Sequence, residues 1–346
     1  MANIFARSPY IVRIAQAGQV GSKLEIFLSN GSFVGTPTYT LSKLIPSPLN
    51  VDTLYDISAY IREYISFLAC SASGTAIANP TNERVNVQLK LYTYNGTTYS
   101  QVGFPQTHIA FDGYTYYEQG YNFDLGNIGL DAGTYYYNPS SDAGKIRITN
   151  CGVIYKNLSN TIVDLITGNS TTRDIRRVTP TLQQQGNIVE IYDNTATLIR
   201  TFTFRAMDEC KYTPVIIDFV NRYGAWQREF FFKASTDNFN VENTEYNLLQ
   251  TSQFASSPST FYSGLEGQRK VFNSNAKKSI KVNTGWVKET WKDVLKQIML
   301  SERILIDNKP AKINTKSTEL FKQINTKQIN YSLEFEFAYD VINSVV

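Results

Sequence analysis

Among the 30 acidic residues of this 346-residue chain, two neighbouring glutamates could in principle act as an acid–base pair, and the chain has a single histidine. Glu334 and Glu336 share one face of a predicted strand, and His108 stands alone in FPQTHIAF, which we interpret as a loop. Glycosidases place their two carboxylates on opposite sides of the substrate, so neighbouring strand glutamates are more typical of a hydrated outer face. A lone histidine cannot form a multi-histidine zinc site. We therefore predict no catalytic residue, no metal and no cofactor.

Nucleophile and phosphate-binding motifs are missing from the sequence. A Ser–His–acid triad would have to use His108, and no G-x-S-x-G turn presents a serine. Neither G-x-x-x-x-G-K-[ST] nor G-x-G-x-x-G occurs, so no phosphate-binding loop is predicted. Cys70, Cys151 and Cys210 are too few and too scattered for a disulfide framework or a metal cage, and we predict buried free thiols. The sequence thus disfavours an enzyme.

Composition indicates a strand-rich protein with large interfaces. The chain carries 33 basic and 30 acidic residues, a near balance that argues against nucleic acid as the main partner. It has 23 tyrosines and 20 phenylalanines, residue types that favour strands and interfaces. No signal-peptide segment and no run of roughly 20 apolar residues is present, so we expect folding in a host cytoplasm and no membrane partner.

The chain length predicts more than one compact unit, because single hydrophobic cores usually stop growing near about 250 residues. We predict a mainly β, multi-domain fold of sandwich-like units. Its parts are an N-terminal Tyr-rich β domain (1–155), a short middle β unit (156–210) and a C-terminal β-rich domain (211–346). The centre of the last is PVIIDFVNRYGAWQREFFFK, residues 214–233, which predicts two buried strands joined by a tight turn.

Several further elements follow from periodicity. Residues 10–15 predict a strand whose partner is residues 23–29, and residues 55–68 have a helical period with a strand as the alternative. Residues 330–340 alternate apolar and polar side chains and predict a strand. Residues 234–265 are polar and aperiodic, and we predict an exposed excursion, with 252–263 as a linker.

One amphipathic helix is predicted at residues 286–300. An apolar stripe that includes Trp291 should pack on the hairpin, while Lys288, Lys292 and Lys296 recur every four residues along another side. This basic side could face genomic DNA, an acidic neighbouring subunit or only solvent. The aromatic residues that we predict to pack or to form interfaces are Tyr223, Trp226, Phe230, Trp286 and Trp291.

Ten tyrosines lie between Tyr92 and Tyr137. They could form a sugar-stacking surface or a protein-docking surface, or they could simply suit a half-exposed sheet. If the tyrosines have a binding role, protein docking is favoured over sugar binding.

Three phrases of the sequence resemble a known group of proteins. They are the hairpin FVNRYGAWQREFFFK, the segment GWVKETWKDVLKQIMLSERILI and the strand NTKQINYSLEFEFAYD, and YDISAYIREYI fits the same group. Together they resemble tail structural proteins of tailed bacteriophages that infect Bacteroidota, including the crAss-like phages. The resemblance covers about half of the chain and implies a non-enzymatic virion component, a ring-forming or adaptor subunit below the portal.

The prediction is therefore a structural virion protein of the tail. It would form a homo-oligomeric ring, stack on other tail and portal-proximal proteins, and contact DNA transiently at most. The alternatives are a receptor- or glycan-binding tail protein that uses the Tyr-rich segment, and a glycan-degrading enzyme.

Overall fold

A computed structural model describes residues 3–45, 52–66, 84–126, 129–137, 145–149, 153–157, 163–166, 172–177, 187–192, 197–206, 213–247, 268–318 and 328–342. Within these ranges, 21 strands in several sheets and two α-helices confirm the predicted mainly β fold. Cys70, Cys151 and Cys210 lie outside the described residues, as does the predicted linker 252–263.

The elements follow one another along the chain in this order. The strands are β1 (Asn3–Phe5), β2 (Ile11–Ala15), β3 (Gly21–Ser29), β4 (Tyr39–Leu44), β5 (Asp52–Asp56), β6 (Arg84–Tyr94), β7 (Tyr99–Phe111), β8 (Gly133–Tyr137), β9 (Lys145–Thr149), β10 (Val153–Asn157), β11 (Val163–Ile166), β12 (Thr172–Arg177), β13 (Asn187–Tyr192), β14 (Leu198–Ala206), β15 (Val215–Val220), β16 (Trp226–Phe231), β17 (Ser235–Asn247), β18 (Arg269–Lys288), β19 (Ile304–Ile306), β20 (Lys309–Ile313) and β21 (Gln328–Asp340). The helices are α1 (Ser58–Tyr64) and α2 (Lys292–Met299), with 3₁₀ turns at Tyr117–Gln119 and Glu289–Trp291.

The N-terminal part is a five-stranded sheet in the order β1-β7-β6-β3-β4, accompanied by the pair β2–β5 and by α1. Alternating side chains of β3 and β6, such as Leu24, Ile26 and Val87, are fully buried. They form one core with Ile57 and Ile61 from the region of α1. The short helix in 55–68 is thus confirmed, although β5 supplies the beginning of that segment.

Two predictions in this part are wrong. The partner of β2 is β5, not β3, and β3 pairs with β4 and β6 instead. His108 lies on β7 opposite Val87, so it is a strand residue and not a loop residue. In both cases pairing between segments far apart in sequence decides the structure, and local spacing does not report it.

The middle sheet has the order β11-β12-β13-β14-β8. Its edge strand β8 belongs to the predicted unit 1–155, whereas β14 belongs to the predicted unit 156–210. The two pair in parallel, with Phe202 opposite Gly133 and Phe204 opposite Tyr135. The predicted boundary at residue 155 therefore divides a sheet.

The C-terminal sheet has seven strands in the order β16-β15-β19-β20-β21-β18-β17. The predicted hairpin is confirmed, because β15 and β16 form six consecutive antiparallel pairs. The predicted final strand is confirmed as β21, whose Leu333 and Phe335 are fully buried. Helix α2 adds Leu295 and Ile298 to the same core.

The predicted helix 286–300 is too long at its beginning. Trp286, Val287 and Lys288 are the last three residues of β18, and all three pair with β21. The helix begins at Lys292 after a 3₁₀ turn. Apolar residues at 287, 291 and 294 fit a helical stripe, but Val287 points into the core from a strand instead.

The predicted aperiodic excursion 234–265 is also wrong in its first part. Residues 235–247 form β17, which pairs with β18 from Ser235 opposite Val282 to Asn247 opposite Arg269. All 13 residues of β17 are exposed, so the predicted exposure of this segment is confirmed. Its predicted lack of regular structure is wrong. We call β17 and β18 together the ribbon.

Candidate functional site

The turn between β15 and β16 is held by one buried asparagine. The Asn221 side-chain oxygen accepts hydrogen bonds from the backbone amides of Tyr223 (3.0 Å) and Ala225 (3.2 Å). Its amide nitrogen donates to the Gly129 carbonyl at 2.6 Å. Asn221 therefore fixes the turn and also ties it to the segment that leads into β8.

The same turn packs against the end of β7. The Tyr114 amide donates to the Arg222 carbonyl at 2.8 Å. A Cβ atom at Gly113 would lie 2.4 Å from that carbonyl oxygen, and one at Gly224 would lie 2.8 Å from the amides of Asp112 and Gly113. Only glycine permits such close backbone contact, and Gly224 also has a φ of 72°. The hairpin turn therefore joins the N-terminal and C-terminal sheets.

A polar cluster centred on Asp131 surrounds this junction. The Tyr223 hydroxyl donates to the Asp131 carboxylate at 2.5 Å, and Gln297 of α2 donates to the other carboxylate oxygen at 2.8 Å. Burial, followed by the nearby Asp131 charge, raises the pKa of Tyr223 to about 12. The Tyr223 phenol thus stays protonated and donates its hydrogen bond. The hairpin turn and α2 both contact the Asp131 carboxylate, which lies in the segment before β8.

Glu229 is a buried carboxyl group next to this cluster. Gln227 donates to it at 2.8 Å, and Trp291 is a second donor. Burial raises the pKa of Glu229 to about 7, and the hydrogen bonds from Gln227 and Trp291 act in the opposite direction. Its carboxyl group therefore titrates near neutral pH inside the protein.

A pocket of about 220 Å³ opens between β8, the end of β18 and the start of α2. Its walls include Trp286, Trp291 and Tyr136, and Arg205 and Lys288 also line it. Within the described part of the chain, neither Arg205 nor Lys288 forms an ion pair. Asp131 and Asp293 line the pocket as well, so its aromatic walls carry charges of both signs.

The structure separates the three predicted basic residues. Lys288 lies on β18, so the three lysines do not line one helix. Lys292 pairs with Glu289 at 3.0 Å and Lys296 with Asp293 at 3.5 Å. The predicted ridge of three lysines along one helix is therefore wrong, because Lys288 belongs to a strand. Which surface the three lysines face stays a prediction.

The predicted aromatic residues divide into buried and exposed ones. Tyr223, Trp226 and Phe230 are buried. Trp291 is half-buried, with its ring 6.0 Å from Phe231 and 6.2 Å from Tyr331. Trp286 is 66% exposed at the mouth of the pocket, so it is the one member of this set that is available to a partner.

The two residue types first considered for catalysis lie apart. His108 packs edge-on against Tyr10, with ring centroids 5.8 Å apart. Glu336 pairs with Lys312 at 2.9 Å, and Glu334 lies opposite Lys281 on β18. Hydrogen bonds from Lys312 and Asn314 lower the pKa of Glu336. The two glutamates therefore belong to cross-strand polar pairs of the sheet.

The ribbon is the most extended surface feature of the C-terminal sheet. Strand β21 pairs with β18 from Lys277 onwards, so residues 269–275 pair only with β17 among the described strands. The outer edge of β17 pairs with no other described strand. Two-stranded ribbons are at best marginally stable alone in water, and open strand edges readily pair with another chain.

The two faces of the ribbon differ in polarity. Val282, Ile280 and Ala276 are buried on one face of β18, which also carries Lys278 and Ser274. Opposite them on β17, the same face carries exposed Phe239 and Val241. Phe272 is the extra residue of a β-bulge, because Asn273 pairs with Thr244 and Val271 pairs with Glu245. Tyr246 contacts Phe272 with centroids 6.4 Å apart.

Exposed Phe239 and Val241 therefore lie on the core side of the ribbon, and Phe272 makes a separate aromatic contact with Tyr246 at the bulge. Phe239 is 60% and Phe272 is 64% exposed. The opposite face carries polar groups such as the Lys277–Glu242 ion pair at 3.0 Å. Exposed apolar side chains grouped in this way mark sites of protein association.

Neither a metal-ligand cluster nor a membrane-spanning helix occurs in the described residues. No group of three or more His, Cys, Asp or Glu side chains is arranged to hold a metal ion there. No helix in that part of the chain has the length and apolar character needed to cross a bilayer.

Comparison of the chain with protein-family models, with curated proteins and with solved structures finds no match.

Sequence reasoning missed the ribbon and the pocket. A signal for the ribbon exists in DNFNVE, where Phe239 and Val241 alternate with polar residues, but the surrounding asparagines obscured it. The pocket is lined by segments more than 60 residues apart in sequence, such as those of Tyr136, Arg205 and Trp286, so only the folded chain assembles it.

Proposed function

We propose that this chain is a structural virion protein of a tailed bacteriophage. It forms a ring or adaptor layer of the tail by self-association and by stacking on other tail proteins, and it performs no catalysis. The observation that carries the proposal is the ribbon, whose outer edge on β17 pairs with no other described strand and which exposes Phe239, Val241 and Phe272. The resemblance to tail proteins of crAss-like phages supplies the virion context.

Among the described strands, none covers the outer edge of the ribbon. Half-exposed aromatic side chains gain free energy when a partner removes them from water, at roughly 25 cal/mol per Å² of apolar area. The unpaired edge of β17 offers backbone donors and acceptors to the same partner. A second copy or a neighbouring tail protein that covers both features would stabilise the ribbon and the assembly together.

Contact with genomic DNA through the three lysines is not part of the proposal. Glu289 and Asp293 balance Lys292 and Lys296, which leaves Lys288 as the cation of this group without an ion pair in the described chain. Phosphate binding by surface lysines needs several charges that displace counterions together.

Imaging of intact virions, with this subunit located in the density, tests the proposal. We expect many copies in a closed ring between the portal and the tail. Copies found as trimers at the tips of fibres would favour the receptor-binding alternative instead. Absence of the protein from purified virions would contradict the proposal.

A further inference from the structure

Tyr117 is a fully exposed side chain on an ordered turn. Its exposure is 102%, so the phenol is free of packing against the residues that the structure describes. The backbone around it is nevertheless fixed. The side chain of Gln119 accepts a hydrogen bond from the Tyr116 amide at 2.9 Å, and the Gly120 amide donates to the Tyr117 carbonyl at 3.0 Å.

The turn is also attached to the N-terminal sheet system. The Asn122 side chain accepts from the Ile11 amide at 2.7 Å and donates to the Ile11 carbonyl at 2.8 Å. An aromatic side chain on a fixed backbone loses little conformational entropy when it binds, which is the property of an interface anchor. The next residue, Glu118, is exposed and adds a negative charge beside the phenol.

The pocket beside Trp286 has the complementary properties. Its volume of about 220 Å³ accommodates one phenol ring, and Trp286 and Trp291 provide aromatic walls. Arg205 and Lys288 are the cations of its lining, and the lining carboxylates Asp131 and Asp293 already contact Tyr223 and Lys296 within the chain. Aromatic and Arg-rich pockets are where binding energy concentrates at protein interfaces.

We propose that Tyr117 of one copy inserts into the pocket beside Trp286 of a second copy. Glu118 then pairs with Arg205 and Lys288 across the interface. The proposal rests on the self-association in the proposed function and assigns one specific contact to it. Because the two surfaces are different patches of the same chain, repeated contacts of this kind generate a ring when the rotation closes.

The test is a double-mutant cycle on self-association, measured by sedimentation velocity of the full chain. Tyr117→Ala and Trp286→Ala should each weaken association about tenfold or more, as expected for buried aromatic anchors. The double variant should be no weaker than the weaker single variant, because both changes remove the same contact. Phe104→Ala is the matched control, since Phe104 is 93% exposed and lies outside both surfaces.

Charge reversal gives a second readout. Glu118→Lys should weaken association, and Lys288→Glu in the same chain should restore part of it. Unfolding midpoints of all variants should match the wild type, because Tyr117, Glu118, Trp286 and Lys288 are exposed.

The outcomes separate this contact from the broader proposal. If Tyr117→Ala or Trp286→Ala associates as strongly as the wild type, the proposed contact is overturned. It is also overturned if the losses of association free energy add in the double variant. Self-association itself would stand in both cases. A wild-type chain that stays monomeric at high concentration would overturn both.

Discussion

Gly224 and Gly113 lie in direct backbone contact: a Cβ atom at Gly224 would be 2.8 Å from the Gly113 nitrogen. This contact joins the turn of the β15–β16 hairpin to the end of β7. It explains why the hairpin can organise a chain of several sheets, since its strands lie in one sheet and its turn lies against another.

The first prediction concerns this contact. Gly224→Ala should destabilise the protein by about 3 kcal/mol, because it adds a backbone clash to the strain of a residue with a φ of 72°. Gly96→Ala is the control, since Gly96 has a φ of 98° and open space around its Cβ position. The measurement is the free energy of unfolding in denaturant. Equal losses in the two variants would mean that the close contact contributes nothing.

The second prediction concerns Glu229 and pH. Its pKa is about 7 in the folded chain against an ordinary value of 4.5, so the folded state binds more protons between these values. Stability therefore falls as pH rises from 4.5 to 7, by about 3 kcal/mol in total at about 1.4 kcal/mol per pKa unit. Glu229→Gln should remove this loss and be most stabilising, relative to wild type, above pH 7.

Denaturant unfolding at pH 5 and pH 8 measures the effect. The exposed Glu245→Gln serves as the control and should change neither value appreciably. If wild type and Glu229→Gln lose the same stability between the two pH values, Glu229 does not titrate as described.

The third prediction concerns Trp291, which contacts Phe231 and Tyr331 and donates to Glu229. Trp291→Ala should cost about 3 kcal/mol, near the lower end for removal of a large aromatic from a core. Because a donor to the Glu229 carboxylate is lost, the cost should be larger at pH 8 than at pH 5. Trp286→Ala, at an exposed site, should change stability by no more than about 0.5 kcal/mol. Similar losses in both tryptophan variants would contradict the placement of Trp291.

Local patterns predicted the elements that depend on local sequence. The β15–β16 hairpin follows from two apolar runs around a glycine turn, and β21 follows from strict alternation through Leu333 and Phe335. The start of α2 was not predictable from spacing, because Val287 fits both a helical stripe and a buried strand position. Only the pairing of β18 with β21 distinguishes the two.

Long-range pairing accounts for the remaining differences. Neither the parallel contact of β8 with β14 nor the pairing of β2 with β5 has a local signature. The pocket beside Trp286 likewise depends on contacts between segments far apart in sequence. Trp286 was identified as an interface residue from its type, but its position at a pocket with Arg205 depends on segments brought together by folding.

The fourth prediction concerns the ribbon, on which the proposed function depends. Phe239→Asp combined with Phe272→Asp replaces two exposed aromatic side chains of the ribbon with charges, whereas Asn240→Asp combined with Asn273→Asp adds the same charge to the polar face. Phe239, Phe272 and Asn240 are exposed and Asn273 is half-buried, and all four lie on the same two strands. Burial of a charge without a partner is costly, so only the first pair should prevent a partner from covering the ribbon.

The most direct measurement is the mass of the purified chain in solution across a range of concentrations. We expect a closed oligomer of high order for the wild type and for the Asn240→Asp/Asn273→Asp variant, and a folded monomer for the Phe239→Asp/Phe272→Asp variant. A wild-type chain that remains monomeric at every concentration, or a Phe239→Asp/Phe272→Asp variant that assembles like the wild type, would contradict assembly through the ribbon.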